Sequence, residues 1–314
     1  MSATFKNIIT KYKVWLICAI GAIAVSILNE NFLTEANISS IIRQMIPYGT
    51  IAIGLTMGYV CGIINLTIGS VAALSAGIFV QLTNRVGLLP AFAATLLSGA
   101  LIGMLAAFLV CKLGLHNWLV VISMMISLKG LAIVVCEYTS IPIRNTTFEA
   151  ISNAHIGPVS MLFFLYIALV IVAEWFLRNT KFGREMYAVG GDAQIAEACG
   201  INVLRIKTIT FIISSVLSSL GGVLLVTRLL SANGTLGSNT IMEVLPMSII
   251  GGASFAGGKG TAIGTLSGTL SMVLIATSMN LFNIDPNMQS IVQGIILIVI
   301  IASDKFVVNR EKKV

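Results

Sequence analysis

The feature that most constrains this chain is a succession of apolar runs interrupted by one long polar stretch. The runs cover residues 14–28, 44–64, 66–83, 88–110, 117–136, 158–177, 208–227, 241–255, 261–282 and 288–302. A helix needs about 20 apolar residues to cross a hydrocarbon core, and most of these runs approach that length. The second and third abut, and the eighth is short. Composition points the same way: 57% of residues are hydrophobic, 10% are charged and the mean hydropathy is +0.98. Soluble domains carry about 25% charged residues. In water this chain would expose large apolar patches. It therefore reads as an all-α polytopic membrane protein of about ten transmembrane helices, with residues 1–314 forming one transmembrane domain.

Lysine and arginine set the expected orientation. With ten spans and a cytoplasmic N-terminus, the inner segments hold Lys6, Lys11, Lys13, Lys112, Arg178, Lys181, Arg184, Arg205, Lys207, Lys259, Lys305, Arg310, Lys312 and Lys313. The outer segments hold only Arg43, Arg85, Arg144 and Arg228, and Lys129 falls within a span. Both termini are then cytoplasmic. The net charge of +7 is explained by membrane orientation and does not call for a nucleic-acid partner. Residues 14–28 follow a basic start and include Ala22-Ile23-Ala24, which resembles a cleavage site, as in a signal peptide. Removing them would put the basic polar stretch on the wrong face, so they are read as a retained first helix.

Few residues suggest chemistry. The five cysteines, Cys18, Cys61, Cys111, Cys136 and Cys199, are scattered and show neither a disulfide framework nor metal-ligand spacing. His116 and His155 lie at span ends or in loops without a partner nearby in sequence. The Gly258-Lys259-Gly260 run lacks the serine or threonine of a phosphate-binding loop. A membrane enzyme would call for clustered His, Asp or Cys near one interface, and a proton-coupled carrier for several buried acids. The chain offers neither, so no catalytic, metal or cofactor-binding residue is assigned.

Two helix interruptions stand out. One lies at 59–70, where Gly62, Asn65, Thr67, Gly69 and Ser70 sit in apolar surroundings with no charged break. Irregular backbone at membrane depth survives only where protein or a water-filled cavity satisfies it, and transporters build solute paths from such breaks. A tight turn between packed helices is the plainer alternative. The other interruption is the glycine-rich stretch 251–260. The helix after it carries Gly264 and Gly268 on one face, a spacing suited to close helix approach. Among charges within spans, Lys129 could pair with Glu243 or extend its stem to the outer interface, whereas Glu174 is placed at the inner interface.

The polar stretch itself, about 178–207, is structured in character. A short helix is expected over 192–199, with Gly190 and Gly191 before it and Gly200 as its cap. Together with its flank Asn179-Thr180-Lys181-Phe182-Gly183-Arg184-Glu185, this stretch resembles the ribose/xylose/galactoside-type permeases of bacterial ABC importers. The likeness extends in order through 64–70, 117–132 and 251–260.

The resemblance implies a ten-helix permease with the fold of type II ABC importers. It would be paired with a second copy or a paralogue in the bacterial cytoplasmic membrane. Cytoplasmic ATPase subunits would bind ATP and magnesium and perform hydrolysis, so this chain would be a transport subunit and not an enzyme. An extracytoplasmic binding protein would deliver a monosaccharide or related small polar solute. The coupling loop would comprise Gly183, Arg184, Gly190, Gly191, Asp192, Glu197 and Gly200. Asn65, Thr67, Ser70, Asn117, Glu243 and Ser254 would line the translocation path between protomers. The chain departs from the family pattern at Asn65, typically aspartate; at Lys129, typically arginine; and at Leu245-Pro246-Met247, typically alanine-rich. Pro246 is expected to kink its span. A branched-chain amino acid permease and a stand-alone channel or secondary carrier are the rival readings.

Overall fold

A computed structural model describes Trp15, Ala22, Ile23 and residues 25–298 apart from Ser238 and Pro286. The expected first span falls mostly outside the described residues, as does the end of the last. Twelve α-helices follow a 3-10 turn at Glu30–Leu33. They are α1 (Glu35–Val60), α2 (Ile68–Val86), α3 (Leu88–Ala107), α4 (Asn117–Val135), α5 (Thr146–Ser152) and α6 (Met161–Asn179). Then come α7 (Lys181–Gly191), α8 (Ala193–Ala198), α9 (Val203–Leu229), α10 (Thr240–Ile250), α11 (Ala262–Leu281) and α12 (Asn287–Ile298). A π-helical turn, Phe108–Lys112, prolongs α3.

Five segments are long and apolar enough to cross a membrane: α3 with its π turn, α4, α6, α9 and α11. The length of α1 was underestimated from sequence, because Glu35, Asn37 and Arg43 look too polar for a span and yet lie within the same continuous helix. The all-helical expectation needs one small amendment. Four two-residue strands pair antiparallel as β1 (Ile141–Pro142) with β4 (Ser231–Ala232), and β2 (His155–Ile156) with β3 (Val159–Ser160).

The core centres on α1 and α9, which pack against each other, with α2 and α3 also against α9. From Met45 onward α1 is buried almost without interruption. Contact here is made through small residues. Ser214, Ser215, Ser218, Ser219, Gly221 and Gly222 of α9 are all buried, which lets backbones approach closely. Hydroxyls then tie the helices together. Ser219 Oγ donates to Thr95 O (2.8 Å), Ser248 Oγ donates to Ala52 O (3.1 Å), and the hydroxyls of Thr56 and Thr265 meet at 2.6 Å. The face expected on α11 does pack tightly: a Cβ at Gly268 would lie 1.9 Å from Met247 O of α10. By contrast, α3, α4 and α6 bury little of their surface, which is the pattern of helices at the rim of a bundle.

Candidate coupling surface and interrupted helices

The polar stretch folds into two consecutive helices. Thr180 ends α6 in an extended conformation, and its hydroxyl accepts from Gly183 N (3.0 Å) while donating to Phe176 O. This side chain thus terminates one helix and starts the next. A Cβ at Gly183 would meet Leu177 O at 2.3 Å, so the corner admits only glycine. Helix α7 was not foreseen. Its signal was present in the i, i+4, i+7 spacing of Phe182, Met186 and Val189, the last two of which are buried.

Asp192 separates α7 from α8 and caps the latter, accepting from Gln194 N (2.9 Å) and Ile195 N (3.0 Å). Gly200 follows with φ +82°, the left-handed closure expected from sequence. The surface of this elbow is open: Arg184, Gly191, Asp192, Glu197 and Gly200 are exposed, and Ile195 is 63% exposed. Gly183 and Gly190 are buried beneath it.

The far side of α7 touches both interruptions at once. A Cβ at Gly190 would lie 1.9 Å from Val60 O, at the end of α1, and 2.7 Å from Gly258 N. Gly258 N in turn donates to Val60 O (3.2 Å). Three stretches of bare backbone therefore meet: the end of α1, the end of α7 and the turn at Gly257–Gly258. Gly257 (φ +88°) and Gly258 (φ +70°) hold conformations that an L-residue adopts only under strain.

Two side chains fasten the second interruption to the elbow and its supporting helix. Tyr187 of α7 donates from its hydroxyl to Gly260 O (2.6 Å). Burial, with the Glu174 carboxylate nearby, pushes that phenol above its usual range and keeps it a donor. Glu174 of α6, placed at the inner interface from sequence, is buried at 7% exposure. Its Oε2 accepts from Ala262 N (2.8 Å) and Ile263 N (3.2 Å), and Oε1 pairs with Arg178. The free amides at the start of α11 attract the carboxylate inward. Neither Tyr187 nor Glu174 was singled out for this role.

The first interruption is held differently. Asn65 is buried, with Oδ1 accepting from Thr67 N (3.2 Å) and Thr67 Oγ1 (2.6 Å) and Nδ2 donating to Ser214 Oγ (3.2 Å). Asn117 at the start of α4 donates to Ile64 O (3.2 Å). Ser70 Oγ donates to Met125 O (2.9 Å). These four candidate path residues thus surround one segment.

The other two candidates lie elsewhere. Ser254 sits in the second interruption, where its Oγ accepts from Ala256 N (3.3 Å). Glu243 on α10 interacts with Tyr48 and Arg228, not with Lys129. The two ion pairs among the described residues are Arg178–Glu174 and Lys181–Glu185. Pro246 lies within α10. Among the described residues no cluster of His, Cys, Asp or Glu could hold a metal ion.

Comparison with known proteins brings the geometry into focus. The family described as branched-chain amino acid transport system / permease component matches residues 37–301. The ribose import permease protein RbsC of Escherichia coli strain K12 is 32% identical over 288 residues, covering 89% of each chain. RbsC of Bacillus subtilis strain 168 is 29% identical, covering 96% of this chain and 94% of that one. The L-arabinose transport system permease protein AraH of Escherichia coli K12 is 27% identical, covering 97% and 93%. No solved structure matches. The matched region runs from the start of α1 to beyond α12 and takes in both interruptions and the elbow between them, so the chain belongs to this family of membrane permease components.

Proposed function

We propose that this chain is the membrane subunit of an ATP-driven importer for a monosaccharide or related small polar solute. It would have about ten spans, both termini in the cytoplasm and a place in the bacterial cytoplasmic membrane. A pair of such subunits forms the conduit. Separate cytoplasmic ATPases, which bind ATP and magnesium themselves, dock at the α7–α8 elbow, and an extracytoplasmic binding protein delivers solute at the opposite face. The coupling surface consists of Arg184, Gly191, Asp192, Glu197 and Gly200, with Gly183 and Gly190 seating it. Asn65, Thr67, Ser70, Asn117, Glu243 and Ser254 belong to the path or to the segments that shape it.

One observation carries this reading: the exposed elbow is joined through Gly190 to the ends of both helix interruptions. A push on α7 therefore reaches two broken helices without a flexible side chain in between. Packed elements of this kind transmit displacement because they have discrete arrangements and little slack. The sugar assignment rests on the names of the ribose and arabinose permeases that this chain resembles.

The test is uptake into proteoliposomes containing the permease, its ATPase and its binding protein. Transport should require all three, and Gly191→Pro should abolish it while leaving membrane insertion intact. Uptake by the permease alone would overturn the importer reading. The family description favours a branched-chain amino acid as the second reading. Thermal shift of the companion binding protein with aldoses and with leucine separates the two.

A further inference from the structure

A cavity of about 260 Å³ lies where α2, α4 and the start of α10 converge, lined in part by Gly69, Ser70, Met125, Lys129, Gly237 and Ile241. Its depth follows from helix geometry. Asn117 opens α4 beside Ile64, at the elbow end of the bundle. Lys129 lies twelve residues further on, about 18 Å along the axis. Helix α10 spans 11 residues, or about 16 Å, roughly half of a hydrocarbon core. Helix α2 likewise begins well inside the bundle, since Ser70 in its first turn reaches Met125 of α4.

Two helices therefore start within membrane depth, and their leading ends touch. A Cβ at Gly237 would fall 2.0 Å from Gly69 O. Such a junction of discontinuous helices has polar backbone available to a solute. The Lys129 ammonium, on an exposed part of α4, adds a cation without an ion-pair partner among the described residues. A charge held at that depth is costly and marks a functional position.

We propose that this cavity is a transient resting site for solute in the conduit, and that it takes a neutral polyhydroxylated ring of single-sugar size. The proposal rests on the importer reading above. The volume falls below the ~300–1,000 Å³ of pockets for drug-sized ligands. The ammonium has three donors and no acceptor, which suits adjacent hydroxyl and ring oxygens. Ser70 Oγ, whose proton is committed to Met125 O, accepts from a solute hydroxyl. Met125 and Ile241 supply an apolar wall for the sugar's C–H face.

The test uses the complete transporter in proteoliposomes with labelled ribose, arabinose and the corresponding aldonates. Lys129→Met should lower aldose uptake on the order of ten-fold or more, the scale of one lost charge-assisted hydrogen bond. Lys129→Arg should restore it to within a few-fold. Binding-protein docking and ATPase assembly should be unchanged in both. Wild-type uptake by Lys129→Met overturns the site, as does a preference of the native protein for aldonates over aldoses. Should Lys129→Met fail to assemble, Ile126→Trp decides, because Ile126 lines the cavity and is already 64% exposed. Unchanged aldose uptake in that variant overturns the proposal. Uptake without ATPase defeats the importer reading instead and leaves the cavity assignment standing.

Discussion

The two helix interruptions are built on opposite principles. At 61–67 the irregular chain is satisfied by side chains inside the core: Asn65 binds Thr67 and reaches Ser214 of α9, and Asn117 reaches the Ile64 carbonyl. At 251–261 the turn is made of glycines, and its restraints come from outside, from Tyr187 on α7 and Glu174 on α6. The first is fastened to the most buried helices of the bundle. The second is fastened to the elbow and the helix that carries it. A displacement of the elbow reaches both breaks through Gly190, and the second, held by fewer bonds to the core, should yield further than the first.

Five substitutions test that contrast, from the largest expected effect to the smallest. Gly190→Val attacks the point common to both breaks, since even a Cβ would lie 1.9 Å from Val60 O. Backbone on the opposing side cannot rotate away, so ATP-driven uptake should disappear. Stability should fall by more than the ~1–3 kcal/mol typical of overpacking, read as a lowered thermal midpoint. Uptake near the wild-type level would separate the elbow from the breaks.

Glu174→Ala leaves Ala262 N and Ile263 N at the start of α11 without their acceptor and frees Arg178, at an expected cost of about 1–3 kcal/mol. If the second interruption is the moving one, ATPase activity should persist while uptake per ATP falls, and a parallel loss of both would contradict the contrast. Asn65→Ala should instead cost stability, ~1–2 kcal/mol from buried partners left unmatched, with uptake per ATP unchanged in the protein that remains folded. Asn65→Asp keeps the acceptor for Thr67 and should lose less. Tyr187→Phe deletes one neutral hydrogen bond and should cost ~0.5–1.5 kcal/mol, read as a small shift in melting and a measurable fall in coupling ratio.

Much of this architecture could be read from residue order. The long spans announce themselves because lipid admits little but helices with apolar surfaces. The short helix at 193–198 was legible because Asp192 and Gly200 are chemically suited to its two ends. Helix α7 was missed because its glycines and charges mask an amphipathic spacing that becomes informative only once a surface to cover it is known. The extent of α1 was hidden for a related reason, as Glu35 and Arg43 belong to the helix without belonging to its apolar stretch. The capping by Glu174 could not be read at all. It joins residues 88 positions apart, and no local pattern encodes which amide a distant carboxylate will meet. The same holds for Gly190, whose necessity lies in a carbonyl of another helix.

The hydrogen bond from Asn65 to Ser214 spans 149 residues of sequence. At ~5–20 residues per second, a ribosome needs roughly 7–30 s to synthesise what lies between them. For that interval α1 and the bare segment after it stand in the bilayer without the serine-rich helix that shelters them. The young chain is thus a half-dressed intermediate, whose early helices wait with an unmatched amide until their late-born neighbour emerges.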